Sequence, residues 1–106
     1  MKYKIKTTVS AEADILKSFE WGVENWGAPM AKRWASRLRK RFKEQLSQFP
    51  LSCPLAPDRD VTEPDVRHLI IDRYRILYEI EGSLVRILHG RGPFVPPDAE
   101  ENGDDK

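Results

Sequence analysis

The sequence predicts an α+β domain, a two-helix hairpin packed on one face of a four-stranded, mainly antiparallel sheet in the order β-α-α-β-β-β. Three observations carry that expectation. Apolar side chains recur at helical spacing through two adjoining stretches, first Ile15, Phe19, Val23 and Trp26, then Met30, Trp34, Leu38, Phe42, Leu46 and Phe49. Apolar and polar residues alternate in short runs, one before the helices and three after them. At 106 residues the chain is long enough for one core and too short for two.

The elements follow in order. Tyr3 to Thr8 alternates Tyr3, Ile5 and Thr7 with Lys4, Lys6 and Thr8, a first strand with a lysine face. Ser10 is placed to cap a helix over residues 11 to 26, with Glu12 and Asp14 at its positive end. Gly27 ends that helix, and Pro29 fits the first turn of the next. Phe49 to Pro64 holds four of the eight prolines and reads as a long surface connection. Val66 to Ile71, Tyr74 to Ile80 and Ser83 to His89 then form a meander, with Glu81-Gly82 supplying a tight turn and Gly90 and Gly92 stopping the last strand. The first strand is expected at the edge, beside the last strand and parallel to it. His89 and Arg91 fall where the sheet ends, a common place for chemistry or recognition.

Composition excludes several classes. A third of the residues are charged and no apolar run approaches 18 residues, so no membrane partner is expected. Met1-Lys2-Tyr3-Lys4-Ile5-Lys6 has no long apolar stretch behind it, which predicts a cytoplasmic protein without a secretory signal. The single cysteine, Cys53, agrees with a reducing compartment, and between Ser52 and Pro54 it reads as a free loop thiol. Cys53, His68 and His89 show no ligand spacing, so neither a metal nor a cofactor is expected. The formal charge of +1 conceals a division: residues 1–97 carry 17 basic and 12 acidic groups, a formal +5, while 98–106 hold five acids and one lysine. Residues 1–97 are read as the single domain and 98–106 as a disordered acidic tail.

The element order, the basic second helix, Tyr74-Arg75-Ile76-Leu77-Tyr78-Glu79-Ile80 and the closing Val85-Arg86-Ile87-Leu88-His89-Gly90-Arg91 together resemble the RelE/ParE superfamily of toxins from type II toxin–antitoxin systems, over residues 3 to 94. The resemblance implies a toxin held inactive by a cognate antitoxin. It also implies one of two targets: RelE-like members cleave mRNA on the ribosome, whereas ParE-like members poison DNA gyrase without cleaving RNA. For the endonuclease, or RNA interferase, the resemblance makes Arg75 a phosphate ligand, Arg91 a second cation and Arg67 an approximate basic partner. His89 is the natural acid/base, because an unperturbed imidazole pKa of about 6.5 leaves both forms present near neutrality. Two departures weaken the nuclease pattern. Leu69 stands where a second basic residue is common, and the nearest aromatic after Arg91 is Phe94, which has no hydroxyl. They place ParE-like gyrase inhibition slightly ahead, with the mRNA endonuclease as the alternative and a non-toxic basic binding module as a third reading.

Geometry sharpens the choice. If the turn after Ile71 is a two-residue hairpin at Asp72-Arg73, Ile70 faces Arg75 and Arg67 faces Tyr78, which puts the two arginines on opposite faces of the sheet, whereas an odd-length turn or a bulge puts them on one face. A working nuclease calls for both on one face. Arg75 and Arg86 each have the plainer alternative of pairing with Glu79, and Tyr74 and Tyr78 share the core side with Ile76 and Ile80. The second helix carries Lys32, Arg33, Arg37, Arg39, Lys40, Arg41 and Lys43 with no acid between Pro29 and Lys43. Arg33, Arg37, Lys40 and Arg41 mark a face for an anionic partner: rRNA, DNA beside gyrase, or an acidic antitoxin segment. Trp21 and Trp26 are expected to help form a groove for the antitoxin.

Overall fold

In the computed structural model, which describes residues 2–92, β1 (Lys4–Thr7) passes through one residue into α1 (Val9–Trp26). That residue, Thr8, has extended backbone (φ −73°, ψ 165°), and its Oγ1 accepts from the Ala11 amide at 3.1 Å. The helix therefore starts two residues before the expected boundary, and the cap is Thr8 rather than Ser10. The physical reason is tertiary. The Thr8 amide donates to the Ile87 carbonyl and its hydroxyl to the Leu88 carbonyl, so the sheet itself holds Thr8 in the conformation a cap requires.

Gly27 both ends α1 and begins α2 (Ala28–Gln48). Its amide donates to the Val23 carbonyl and its carbonyl accepts from the Ala31 amide, both at 3.1 Å, with φ at 97°, a value that side chains rarely adopt. Pro29 occupies the first turn of α2, where a missing N–H leaves no bond unmade. Trp34, Leu38, Phe42 and Leu46 are buried at the spacing that predicted them, while Phe49 lies beyond the helix end and is 59% exposed. The following connection is more ordered than its prolines imply. Pro50–Ser52 form a 3-10 turn, and Leu55 bridges to Arg67.

β2 (Arg67–Ile71), β3 (Tyr74–Glu81) and β4 (Leu84–Arg91) form the meander, and β1 joins β4 in parallel, giving the sheet order β1-β4-β3-β2. The edge position and direction of β1 agree with the expectation. Two local readings are corrected: the β3–β4 turn is Gly82-Ser83, one residue later than Glu81-Gly82, and β4 continues through Gly90 to Arg91. In each case cross-strand pairing extends further than alternation alone indicates.

The β2–β3 turn is Asp72-Arg73, with φ of 51° and 73° at two residues that carry side chains. Left-handed backbone costs an L-residue about 1–2 kcal/mol, so Arg73→Gly is expected to stabilise the fold by about 0.5–1 kcal/mol, read as a higher urea midpoint at unchanged slope. Asp72 has a tertiary role: its carboxylate lies 2.9 Å from Nε of Arg37 on α2.

Both helices pack on one face of the sheet. Tyr74, Ile76, Tyr78, Val85 and Ile87 from the strands are fully buried against Ile15, Trp34, Leu38, Phe42 and Leu46. Trp34 joins the layers, meeting Trp26 and Tyr74 edge-on with ring centroids 6.4 and 5.2 Å away. The Tyr78 hydroxyl donates to the Pro50 carbonyl, and burial pushes its pKa up. On the opposite face, among the described residues, Ala56, Val66, Leu77 and Leu88 form a second, small cluster. The acidic tail expected at 98–106 lies outside the described residues.

Candidate functional site

The register of β2 on β3 pairs Arg67 with Tyr78 and Ile70 with Arg75. Since Tyr78 faces the helices, Arg67 projects to that side and Arg75 to the other. Each is engaged within the molecule. The Arg67 guanidinium donates to the Cys53 carbonyl at 2.6 Å. Arg75 makes a two-pronged pair with Asp58 at 2.7 and 3.1 Å and donates through Nε to His68 Nδ1 at 3.2 Å. Burial, then the charge of Arg75, pushes the His68 pKa down, which keeps the accepting nitrogen unprotonated at neutral pH. The expected Arg75–Glu79 pair does not form. Glu79 is taken by Arg86, which also holds Glu81, at 2.9 and 2.8 Å. Asp58 was invisible as a site residue, because nothing in a proline-rich loop announces which acid will reach a strand 17 positions later.

Hydrogen bonds from Arg75 hold the Asp58 carboxyl at about 2, below its ordinary range. A carboxylate whose pKa is depressed by folding stabilises above its unfolded value, near 3.9, and that contribution is lost as pH falls through the folded value. Asp58→Asn is therefore expected to flatten the stability profile between about pH 4 and pH 2. Thermal unfolding of both proteins across that window checks it, and parallel profiles would refute the pair.

Arg91 stands directly opposite Arg75 on the neighbouring strand. Just before it, a bulge leaves both Leu88 and His89 beside Leu77. β1 ends at Thr7 opposite Ile87, so beyond that point α1 closes this side of β4. Asp14 Oδ2 accepts from the Gly90 amide at 3.1 Å and lies 3.3 Å from His89 Nδ1. His89 thus has a carboxylate neighbour. Ser18 extends the contact, donating to the Asp14 carbonyl at 3.0 Å and sharing a hydrogen bond with the Tyr74 hydroxyl at 3.1 Å. A cavity of about 250 Å³ is bordered by Asp58, Arg59, Asp60, Glu63, His89 and Arg91. Ala56, Val66, Leu77 and Leu88 complete its lining, and strand register sets Arg75 beside Arg91 at the same end of the sheet, leaving Arg67 apart. Among the described residues no group of three or more side chains is placed to hold a metal ion.

The helical hairpin offers two further surfaces. Cations of α2 are compensated from elsewhere in the fold, Arg37 by Asp72 and Arg39 by Glu12, the latter at 2.8 and 3.1 Å. Glu44, four residues after Lys40, adds an acid within the helix to these tertiary pairs. Lys32, Arg33, Lys40, Arg41 and Lys43 are exposed. Between α1 and α2 runs an apolar groove of about 500 Å³, bordered by Val9, Ala13, Leu16, Phe19, Ala35 and Arg39. Trp21 and Trp26 are placed elsewhere. They meet edge-on at 5.6 Å near the other end of α1, where Trp26 leads into Trp34.

The fold recurs in solved structures of toxin–antitoxin systems. A chain of the chromosomal ParDE toxin–antitoxin system from P. aeruginosa superposes with a TM-score of 0.72 at 21% identity, covering 85% of this chain and 95% of that one. A chain of the RelBE2 toxin–antitoxin complex from Mycobacterium tuberculosis gives 0.64 at 22% identity, covering 88% and 100%. No curated protein sequence matches the chain. Residues 5–94 match the family of ParE toxins of type II toxin–antitoxin systems, parDE, and the chain belongs to that family. No helix among the described residues is long and apolar enough to cross a membrane.

Proposed function

We propose that this toxin is silenced by a cognate antitoxin and acts by poisoning DNA gyrase rather than by cleaving mRNA. The observation that carries the reading is the division of Arg67 and Arg75 between the two faces of the sheet. Cleavage of RNA through its 2′-hydroxyl requires cations converging on one phosphate together with an acid and a base. Here Arg67 is bonded to a backbone carbonyl, Arg75 to a carboxylate, and the two point away from each other. A second reading, ribosome-dependent endonuclease, is favoured by one arrangement: Arg91 faces Arg75 and borders the same cavity as His89.

The experiment runs both assays on the purified toxin. Gyrase-dependent DNA breaks with intact mRNA on translating ribosomes are expected. Cleavage of that mRNA, abolished by Arg75→Ala or His89→Ala, with gyrase unaffected, overturns the proposal. The antitoxin is assigned to the α1–α2 groove, whose exposed Val9 and Leu16 suit the apolar anchors of an amphipathic segment. Binding is expected to slow hydrogen exchange along α1, and unchanged protection there would exclude the groove.

A further inference from the structure

We infer that the acidic segment following the sheet folds back on its own chain and covers one cationic flank of α2. Residues 98–105 carry Asp98, Glu100, Glu101, Asp104 and Asp105 and no basic side chain. They lie outside the described residues, so the flank itself supplies the argument. Arg37 reaches Asp72 in the β2–β3 turn, and the side of α2 that carries Arg37 therefore faces that turn. Helical periodicity puts Lys40 and Arg41 beside Arg37 one turn on, and puts Lys32, Arg39 and Lys43 on the side of α1, where Arg39 holds Glu12. Lys40 and Arg41 are exposed, and so is Arg73 in the turn itself. Asp72 is engaged by Arg37, and Glu44 closes the flank one turn beyond Lys40.

The chain leaves the sheet at the same end. Arg91 pairs with Arg75, two residues past Arg73, so strand spacing and rise put Arg37 on the order of 20 Å from Arg91. The seven residues from Arg91 to Asp98 span at most about 25 Å, and Glu100 to Asp105 extend far enough to lie along Lys40 and Arg41. The nearer surface repels them. The face of the sheet turned away from the helices presents Asp58, Asp60 and Glu63 beside Arg91, and Asp58 already neutralises Arg75. Five carboxylates are drawn instead round the turn onto α2, and the tether gives them an effective concentration in the millimolar range. The flank is thereby shielded: an external polyanion reaches it only by displacing the segment. The inference holds whichever target the toxin has.

Carbodiimide joins a lysine amine to a carboxylate where the two touch, and mass spectrometry of the full chain after that treatment tests the contact. Links from Lys40 to Glu100, Glu101, Asp104 or Asp105 are expected, at least roughly fivefold more abundant than links from Lys32 or Lys43 to the same acids. Raising the salt from about 50 to about 500 mM is expected to reduce them at least roughly fivefold, because exposed charges are screened. Arg41→Gln with Arg73→Gln leaves Lys40 in place and is expected to lower its yield at least roughly threefold. In an equal mixture of nitrogen-15-labelled and unlabelled protein, links within one isotope are expected. Links that cross isotopes identify a second copy as the occupant and overturn the inference, as do links spread evenly over the lysines, no link at low salt, or a Lys40 yield indifferent to the two arginine changes. Shielding has its own readout. A labelled octaglutamate peptide is expected to bind at least roughly threefold tighter once Asp98→Asn, Glu100→Gln, Glu101→Gln, Asp104→Asn and Asp105→Asn are combined, and equal affinity overturns the shielding.

Discussion

Trp34→Ala is expected to destabilise the domain by about 3–5 kcal/mol, the usual loss for truncating a large aromatic in a closed core. Trp34 is 2% exposed and is the point where both helices and the sheet meet. It also loses two edge-on ring contacts, with Trp26 and Tyr74, each worth about 0.5–1.5 kcal/mol beyond area burial. Against a total stability of about 5–15 kcal/mol, such a loss brings the protein close to unfolding at physiological temperature. Urea denaturation followed by circular dichroism checks it. A loss below 1 kcal/mol would mean that the helical hairpin and the sheet do not share one core.

Gly90→Ala is expected to cost about 1–3 kcal/mol, lowering the melting temperature by roughly 4–8 °C for each kcal/mol, and to disable the end of the sheet. A methyl group there would sit 2.4 Å from the Tyr74 hydroxyl and within 3 Å of two ring carbons. Tyr74 has little room to yield, held by Ser18 on its hydroxyl and by the Trp34 edge on its ring. β4 must shift instead, breaking the bond from the Gly90 amide to Asp14 and moving His89 and Arg91 on either side. Gly27→Ala is the control. It costs about 1–3 kcal/mol, because φ 97° with ψ 155° is backbone that essentially only glycine adopts, in the connection between the helices. Loss of target inhibition is expected for Gly90→Ala and not for Gly27→Ala, and equal inhibition by both would show that the β4 terminus is not used.

Much of this architecture is written in local pattern. The stripe from Trp34 to Leu46 and the alternation around Tyr74 to Ile80 each name a buried face, and packing the two helices on the meander buries both. Even the opposite facing of Arg67 and Arg75 follows from a two-residue turn. What pattern does not carry is the identity of partners brought together by loops. Thr8 displaces Ser10 as a cap because β4 holds it, Asp58 reaches Arg75 from an irregular loop, and Asp14 reaches Gly90 across 76 positions. The bulge beside Leu77 belongs to the same class, since one extra residue changes where His89 ends up without altering the hydrophobic run that precedes it.

The parallel pairing of Lys4 with Leu84 has a kinetic consequence. Contacts between segments so far apart form late, because closing a long loop opposes them with entropy before any bond is made. On a translating ribosome, the paired helices and the first hairpin of the meander can organise while the amino-terminal strand waits for its neighbour to be synthesised. The four-stranded sheet therefore stays incomplete on the ribosome until β4 has emerged to receive β1.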